Sequence, residues 1–168
     1  MSAEEHRSRA PSRLGFVAIT VSDSRTAADD ASGRTMAERI AAAGHELIES
    51  HLVRDEVPAI RAAVRQGLGA SGCDVVVVSG GTGLSPRDLT IEAVTPLLER
   101  PIEGFGELFR MLSFQEVGAA AMLSRAAAGI AAGRAVFLLP GSPKAVALAL
   151  DRLILPEAGH LVSQARRS

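Results

Sequence analysis

Residues 73–95 read CDVVVVSGGTGLSPRDLTIEAVT, and this stretch is the most informative part of the chain. The unbroken valine run at 75–78 is typical of a strand buried on both faces of a sheet. A glycine turn, SGGTG at 79–83, follows the run, and a helix-like segment begins after a Pro-Arg-Asp triplet. A strand, a glycine turn and a helix start in this order commonly hold a phosphate with backbone N–H groups. Taken alone, Gly80, Gly81, Thr82 and Gly83 fit a plain tight turn equally well.

The rest of the chain alternates strand-like and helix-like segments. Strands are predicted at 15–21, 46–53 and 135–139, each followed by apolar residues at helical spacing. A further short strand is expected at 121–126, and a last short helix is expected from Pro156 onward. Alternation of this kind, with several strands apolar throughout, predicts an α/β fold: a three-layer α/β/α sandwich with a mostly parallel central sheet.

Length and composition narrow the classes of function. The 168 residues suit one domain, expected at 14–168 behind a disordered leader at 1–13 that lacks the apolar core of a signal peptide. A net charge of −1 argues against nucleic acid as the main partner, and no apolar stretch is long enough to span a membrane. The single cysteine, Cys73, fits a reducing compartment, so we expect a cytoplasmic protein.

The ligand of such a sheet lies beyond the carboxyl ends of its strands. Four segments are predicted to meet at this edge although they are distant in sequence: 22–24, 54–56, 79–88 and 140–144. The first of them begins with Ser22, a candidate phosphate contact. Neither a P-loop nor a G-x-G-x-x-G fingerprint occurs at these turns, so the common nucleotide motifs are excluded.

Two carboxylates, Asp55 and Asp88, belong to these segments. Each one alone is well explained as a helix N-cap, and Ser142 with Pro143 is equally well explained as an ordinary helix start. Together, two carboxylates beside a glycine turn indicate a Mg²⁺-nucleotide site, because Mg²⁺ is held by one or two carboxylates plus phosphate oxygens and water. Asp88 is the candidate Mg²⁺ ligand, since it belongs to the glycine turn itself.

Several longer motifs occur in a fixed order and make the chain recognisable. It resembles the MoaB/Mog family of molybdenum cofactor biosynthesis from about residue 14 to about residue 156. The segments that carry the resemblance are SGGTGLSPRDLTIEA, GFGELFRMLSFQEVG, LSRAAAGI and LPGSPKAV, supported by VSDSRTAADDASG and LVRDE.

This resemblance implies an enzyme, a molybdopterin adenylyltransferase, which uses Mg²⁺ and ATP to make adenylyl-molybdopterin and pyrophosphate. A MoeA-type insertase would act next as a partner, and the assembly would be a homotrimer or a hexamer. The family's two functional aspartates correspond to Asp55 and Asp88, both retained here, and its phosphate-contacting turn corresponds to 80–83. Its molybdopterin-binding positions correspond to Ser113, Ser124, Pro140, Gly141, Ser142 and Pro143.

Two alternatives stay open at this point. A non-catalytic molybdopterin-binding or scaffold protein of the same family would share the fold but leave the pterin unmodified. An unrelated nucleotide-binding domain with the same layers, such as the related domain of competence-damage proteins, would act on another nucleotide and bind no pterin.

Overall fold

The computed structural model describes residues 2–8 and 10–167. Its centre is a six-stranded sheet with the order β2-β1-β3-β6-β5-β4. The strands are β1 (Gly15–Val21), β2 (Glu46–Val53), β3 (Val75–Ser79), β4 (Arg100–Pro101), β5 (Ala127–Ala131) and β6 (Arg134–Leu139). The neighbours β2, β1, β3 and β6 are parallel, whereas β5 is antiparallel to both β6 and β4. The predicted mostly parallel sheet is confirmed.

Helices cover both faces of this sheet. The α-helices are α1 (Ala3–Ser8), α2 (Ala31–Ala42), α3 (Val57–Gly69), α4 (Thr90–Val94), α5 (Glu103–Val117), α6 (Pro143–Ala149) and α7 (Leu155–Ala165). A π-helical turn at Leu150–Ile154 joins α6 to α7, and 3₁₀ turns follow α4 and α5. The helix predicted from Pro156 therefore begins one residue earlier, at Leu155.

The central strand β3 explains why the fold has three layers. Successive side chains of a strand point to opposite faces. Val75 and Val77 enter a core with α2, α5, α6 and α7, whereas Val76 and Val78 enter a second core with α3 and α4. All four valines are fully buried, so the run read from the sequence is the strand shared by both cores.

Two segments differ from the sequence prediction. The strand expected at 121–126 is wrong: residues 118–123 form a 3₁₀ turn, and the strand follows as β5. This strand reads AAGIA, which lacks the β-branched run that marks β3 and β6.

Within the expected leader the structure has a helix, α1, whose start is closed by a reciprocal pair of hydrogen bonds. The Ser2 N–H donates to the Glu5 carboxylate at 2.6 Å, and the Glu5 N–H donates to the Ser2 hydroxyl at 3.2 Å. This capping box gives the short segment a local reason to be helical. The division into a leader at 1–13 and a domain at 14–168 stays a prediction. No helix in the ranges 2–8 and 10–167 is long and apolar enough to cross a membrane.

Candidate functional site

A cleft of about 580 Å³ lies at the carboxyl ends of β1, β2, β3 and β6. All four predicted segments contribute to it, because parallel neighbours end at the same edge of the sheet. The predicted residues that line it are Ser22, Asp55, Gly80, Gly81, Thr82, Gly83, Asp88, Ser124, Pro140 and Gly141.

The glycine loop, residues 80–88, has no room for side chains at its first two positions. Gly80 has φ +104° and Gly81 has φ +69°, a backbone region that side-chain-bearing residues rarely adopt. A Cβ on Gly80 would lie 2.2 Å from the Val21 carbonyl oxygen, and one on Gly81 would lie 2.8 Å from Asp55 Oδ2. Glycine is therefore required for the loop to pass between the end of β1 and the carboxylate.

The carbonyl groups of the glycine loop are bound by the protein itself. Thr90 contacts two of them, because its hydroxyl donates to the Gly80 oxygen at 2.7 Å and its N–H donates to the Gly81 oxygen at 3.0 Å. Arg125 contacts the next two through its N–H, at 3.1 Å from the Thr82 oxygen, and its Nε, at 2.9 Å from the Gly83 oxygen.

The N–H groups on the same loop behave differently. Those of Gly81, Thr82 and Gly83 donate to no acceptor within the part of the chain that the structure describes. All three residues line the cleft. Successive unpaired N–H groups in a concave turn form an anion-binding nest. The open N–H groups fit the phosphate-binding interpretation of the turn, which stays a prediction.

Asp55 does not cap its own helix. The N-cap of α3 is Glu56, which makes no side-chain capping bond, and Asp55 reaches across the cleft instead. Its Oδ1 accepts the Leu89 N–H at 3.0 Å, and its Oδ2 accepts no hydrogen bond from the described residues. Burial raises the pKa of the Asp55 carboxyl, and the neighbouring charges of Asp88 and Asp23 raise it further. An added positive charge would therefore stabilise its ionised form.

Asp88 likewise does not cap α4, whose N-cap is Leu89. Its Oδ2 accepts the Ser85 N–H at 3.0 Å, whereas no described residue donates to its Oδ1. Among residues 2–8 and 10–167, no group of three or more His, Cys, Asp or Glu side chains is placed to hold a metal ion. Two carboxylates with one open oxygen each nevertheless fit Mg²⁺ that keeps water and substrate oxygens as its other ligands.

Ser22 and Asp23 connect the first loop with the rest of the cleft. The Ser22 hydroxyl accepts the N–H groups of Ser24 and Arg25, at 3.3 and 3.1 Å. Asp23 accepts the Asp55 N–H at 3.0 Å and forms an ion pair with Arg87 at 2.6 Å. The hydrogen bond from Arg87 lowers the pKa of the Asp23 carboxyl.

A second, smaller cavity of about 210 Å³ adjoins the first. Ser113 and Ser142 line it, and Ser124 and Pro140 line both cavities. Pro143 lines neither of the two. The helix-start interpretation of Ser142 is confirmed, because its hydroxyl accepts the Ala145 N–H at 3.1 Å. That bond does not remove the Ser142 side chain from the cavity wall.

Sequence reasoning missed two arginines. Arg25 lines the larger cleft, and it donates to the Ser32 hydroxyl at 2.8 Å and to the Gly141 oxygen at 3.1 Å, which ties the first loop to the last. Arg125 was not among the predicted site residues, yet its side chain is only 30% exposed and contacts the glycine loop. The available signal was position: Arg25 follows the 22–24 segment, and Arg125 follows Ser124.

Comparison with known proteins identifies the family. A family profile described as "Probable molybdopterin binding domain" matches residues 17–160. The chain belongs to the MoaB/Mog family of molybdenum cofactor biosynthesis proteins. Molybdenum cofactor biosynthesis protein B of Bacillus cereus is 45% identical over 168 residues, covering 99% of each chain. The family predicted from the motifs is confirmed.

Solved structures agree with this assignment. A crystal structure of a molybdenum cofactor biosynthesis protein B has 45% identity and a TM-score of 0.91, covering 95% of this chain and 100% of that one. The tungsten cofactor synthesizing protein MoaB from Pyrococcus furiosus has 38% identity and a TM-score of 0.85, covering 94% and 100%. The predicted three-layer fold is the fold of these family members.

Proposed function

We propose that the chain is a molybdopterin adenylyltransferase that transfers AMP from ATP to molybdopterin and releases pyrophosphate. The observation that carries the proposal is the row of unpaired N–H groups at 81–83 between two carboxylates, in a cleft that continues into a second cavity. A one-substrate site would need only one of these spaces. The family membership supplies the identity of the pterin.

The larger cleft is assigned to ATP. Its N–H nest at 81–83 would hold phosphate oxygens, and Gly80 allows the loop to turn there without a side chain. Ser22 lines the same cleft and adds a hydroxyl beside the nest. With no Trp or Tyr in the chain, the base would be held by backbone and aliphatic contacts.

The smaller cavity is assigned to molybdopterin. Ser113 and Ser142 offer hydroxyls there, and the shared wall of Ser124 and Pro140 places the two substrates side by side. Gly141 belongs to the same turn, where a Cβ would lie 3.4 Å from the Gly80 Cα. Pro143 would act only by starting α6 behind this turn, since it lines neither cavity.

Asp88 and Asp55 would hold Mg²⁺ through their open oxygens, with Asp88 as the principal ligand. Bound there, the cation would neutralise negative charge on the triphosphate. The raised pKa of Asp55 supports this assignment, because a buried carboxyl beside two like charges is stabilised by a cation.

The chain's own part in the reaction is positioning. The terminal phosphate of molybdopterin attacks the α-phosphorus of ATP, a new P–O bond forms, and the bond to the leaving pyrophosphate breaks. The attacking phosphate is already anionic at neutral pH, so no general base is required. The N–H nest would orient the phosphates and stabilise the charge that develops on the leaving group.

The proposed assembly is a homotrimer, or a hexamer built from trimers. Its support is an exposed apolar surface on α5 and the 3₁₀ turn after it, which we call the α5 surface. Exposed apolar surfaces of this kind often mark protein contacts. Its members are Leu108, Met111, Phe114, Val117, Met122 and Leu123, each about half exposed or more.

A MoeA-type insertase is proposed to act in the next reaction step, since adenylyl-molybdopterin must be consumed where metal is inserted. Of the two solved relatives described above, one is named for molybdenum cofactor and one for tungsten cofactor. The proposed function therefore covers the adenylylation step only, and the choice between molybdenum and tungsten would belong to the insertase. A cytoplasmic location stays a prediction.

The deciding experiment combines purified protein, molybdopterin, ATP and Mg²⁺ and follows adenylyl-molybdopterin directly. Asp88→Asn is expected to lower the rate at least tenfold, since it removes a carboxylate next to the nest. Asp151→Asn is the matched control, because Asp151 forms a surface ion pair with Arg39 and lies outside both cavities. Molybdopterin binding without ATP consumption would instead favour the non-catalytic pterin-binding protein.

A further inference from the structure

Arg125 forms three hydrogen bonds to carbonyl groups of the glycine loop, although the proposed chemistry gives it no role. It lies between the 3₁₀ turn Gly118–Leu123 and β5. Its Nε donates to the Gly83 oxygen at 2.9 Å, and its Nη2 donates to the Asp88 oxygen at 3.1 Å. Its backbone N–H donates to the Thr82 oxygen at 3.1 Å. One residue therefore binds three carbonyl groups of the loop, at its beginning and at its end.

These contacts, together with those of Thr90, orient the peptide groups of the loop relative to the cleft. A peptide group whose oxygen is bound on one side points its N–H toward the other side. The Thr82 oxygen, which the Arg125 backbone N–H binds, shares a peptide group with the Gly83 N–H, which is left open toward the cleft. The open N–H groups of Gly81 and Thr82 belong to the peptide groups whose oxygens Thr90 binds. Asp88, the proposed Mg²⁺ ligand, has its own backbone oxygen held by the same guanidinium.

We propose that Arg125 is a positioning residue that holds the glycine loop and Asp88 in the shape required for phosphate binding. The inference rests on the proposed function only for the identity of the nucleotide. Arg125 lines neither of the two cavities, so it acts through the loop and not by touching the substrate.

The ion pair with Glu92 is too exposed to be the main purpose of Arg125. Glu92 contacts Nη1 and also accepts from Nη2 at 3.3 Å, and its side chain is 48% exposed. Exposed ion pairs contribute little to stability. The Arg125 hydrogen bond nevertheless lowers the pKa of the Glu92 carboxyl, so the pair persists at neutral pH. Glu92 thus orients the guanidinium plane while the bonds to carbonyl groups hold the loop.

The shape of arginine is needed for this role. A planar guanidinium presents several donors in a fixed fork, and here they address Gly83, Asp88 and Glu92 at once. A lysine ammonium would keep the charge but could not span the three acceptors. The guanidinium hydrogen-bonds to Gly83, Asp88 and Glu92, none of which lines the second cavity, although Arg125 follows Ser124 in the chain. A change at Arg125 should therefore affect the ATP side more than the pterin side.

The test compares Arg125→Gln and Arg125→Lys with wild type in the full chain. The measurements are the dissociation constants of Mg²⁺-ATP and of molybdopterin, by titration calorimetry. Arg125→Gln should weaken Mg²⁺-ATP binding about tenfold or more, since the charged hydrogen bonds to the Gly83 and Asp88 oxygens are lost or weakened, whereas the backbone bond to Thr82 is kept. Molybdopterin binding should change less than about twofold. Arg125→Lys should fall between wild type and Arg125→Gln.

Two further variants separate positioning from a general loss of stability. Arg39→Gln removes an arginine that is also ion-paired but whose partner, Asp151, lines neither cavity, and it should leave both constants unchanged. Glu92→Gln keeps a neutral acceptor for the guanidinium and should weaken Mg²⁺-ATP binding less than about threefold.

Hydrogen exchange gives a readout that needs no substrate. The Leu89 and Thr90 amides are bonded across the loop, to Asp55 Oδ1 and the Gly81 oxygen. In Arg125→Gln their exchange should accelerate about tenfold, while the amides of β3 exchange as in wild type.

Several results would overturn the role of Arg125. They are unchanged Mg²⁺-ATP binding in Arg125→Gln, equal weakening of both ligands, or faster exchange throughout the chain. If wild type binds no Mg²⁺-ATP at all, the proposed function fails, and the exchange data alone decide. Acceleration confined to the loop would then support the positioning role, and unchanged loop exchange would refute it.

Discussion

Replacing Gly80 by alanine tests whether the glycine loop is fixed by close backbone contact. Gly80 has φ +104°, and an added Cβ would lie 2.2 Å from the Val21 carbonyl oxygen and 3.2 Å from its carbon. Val21 is the last residue of β1 and is nearly fully buried, so this neighbour cannot rotate away as a side-chain tip would. The variant must either move β1 away from β3 or change the loop.

Two costs add in this variant. A side chain at positive φ costs about 1–2 kcal/mol. Relieving a contact in a packed region costs about another 1–3 kcal/mol. The free energy of unfolding should therefore fall by about 2–5 kcal/mol, which lowers the Tm of a domain this size by about 4–20 °C.

Gly44→Ala is the matched control. Gly44 ends α2 with φ +82°, but a Cβ there meets nothing within 4 Å, so only the backbone cost of about 1–2 kcal/mol applies. Urea unfolding of both variants, read by circular dichroism, gives the difference directly. Equal losses in the two variants would show that the contact with Val21 carries no cost, and the reasoning about the loop would be refuted.

Three more predictions concern other parts of the molecule. Burial lowers the pKa of His45, whose Nδ1 accepts the Leu14 N–H at 3.1 Å, so protonation of His45 disfavours the fold. Wild type should therefore lose stability relative to His45→Gln as the pH falls below about 6.5. A difference in unfolding free energy that does not depend on pH would contradict this. Burial raises the pKa of Cys73 to about 11, so its thiol should resist alkylation at pH 8 in the folded protein and react fully in denaturant, as mass spectrometry would show. The double variant Met111→Glu/Phe114→Glu places charge on the α5 surface, so it should reduce the particle mass in light scattering without loss of helix content. An unchanged mass would show that the α5 surface is not the interface of the proposed oligomer.

The sequence was sufficient for the parallel half of the sheet and for the position of the cleft. The strands β1, β3 and β6 are short apolar runs, each followed by turn residues, and their carboxyl ends must lie together once the strands are parallel. The meeting of Ser22, Asp55 and the glycine loop thus follows from topology alone. Sheet topology does not determine individual hydrogen bonds, which is why both aspartates also fitted the capping interpretation.

The antiparallel half could not be derived in the same way. The strand β5 reads AAGIA, and its place is set by pairing with β6 and not by its own composition. Arg125 stands directly before this region, so its distance to the glycine loop depends on a strand that local pattern does not mark. The misplacement of the strand at 121–126 and the absence of Arg125 from the predicted site have this single cause.

The charges of the cleft explain why a nucleotide alone would be a poor ligand for it. Asp55 and Asp88 line the same space as the N–H nest, and Asp23 adds a third carboxylate beside Asp55. The backbone dipoles favour a polyphosphate, whereas the two lining carboxylates repel it. An anion that arrives with a cation would satisfy the N–H groups and the carboxylates together, and Arg25, which also lines the cleft, adds a positive charge. Under the proposed function, the arrangement would favour a Mg²⁺-triphosphate over the free triphosphate, and chelation of Mg²⁺ is expected to abolish the binding of ATP as well as its turnover.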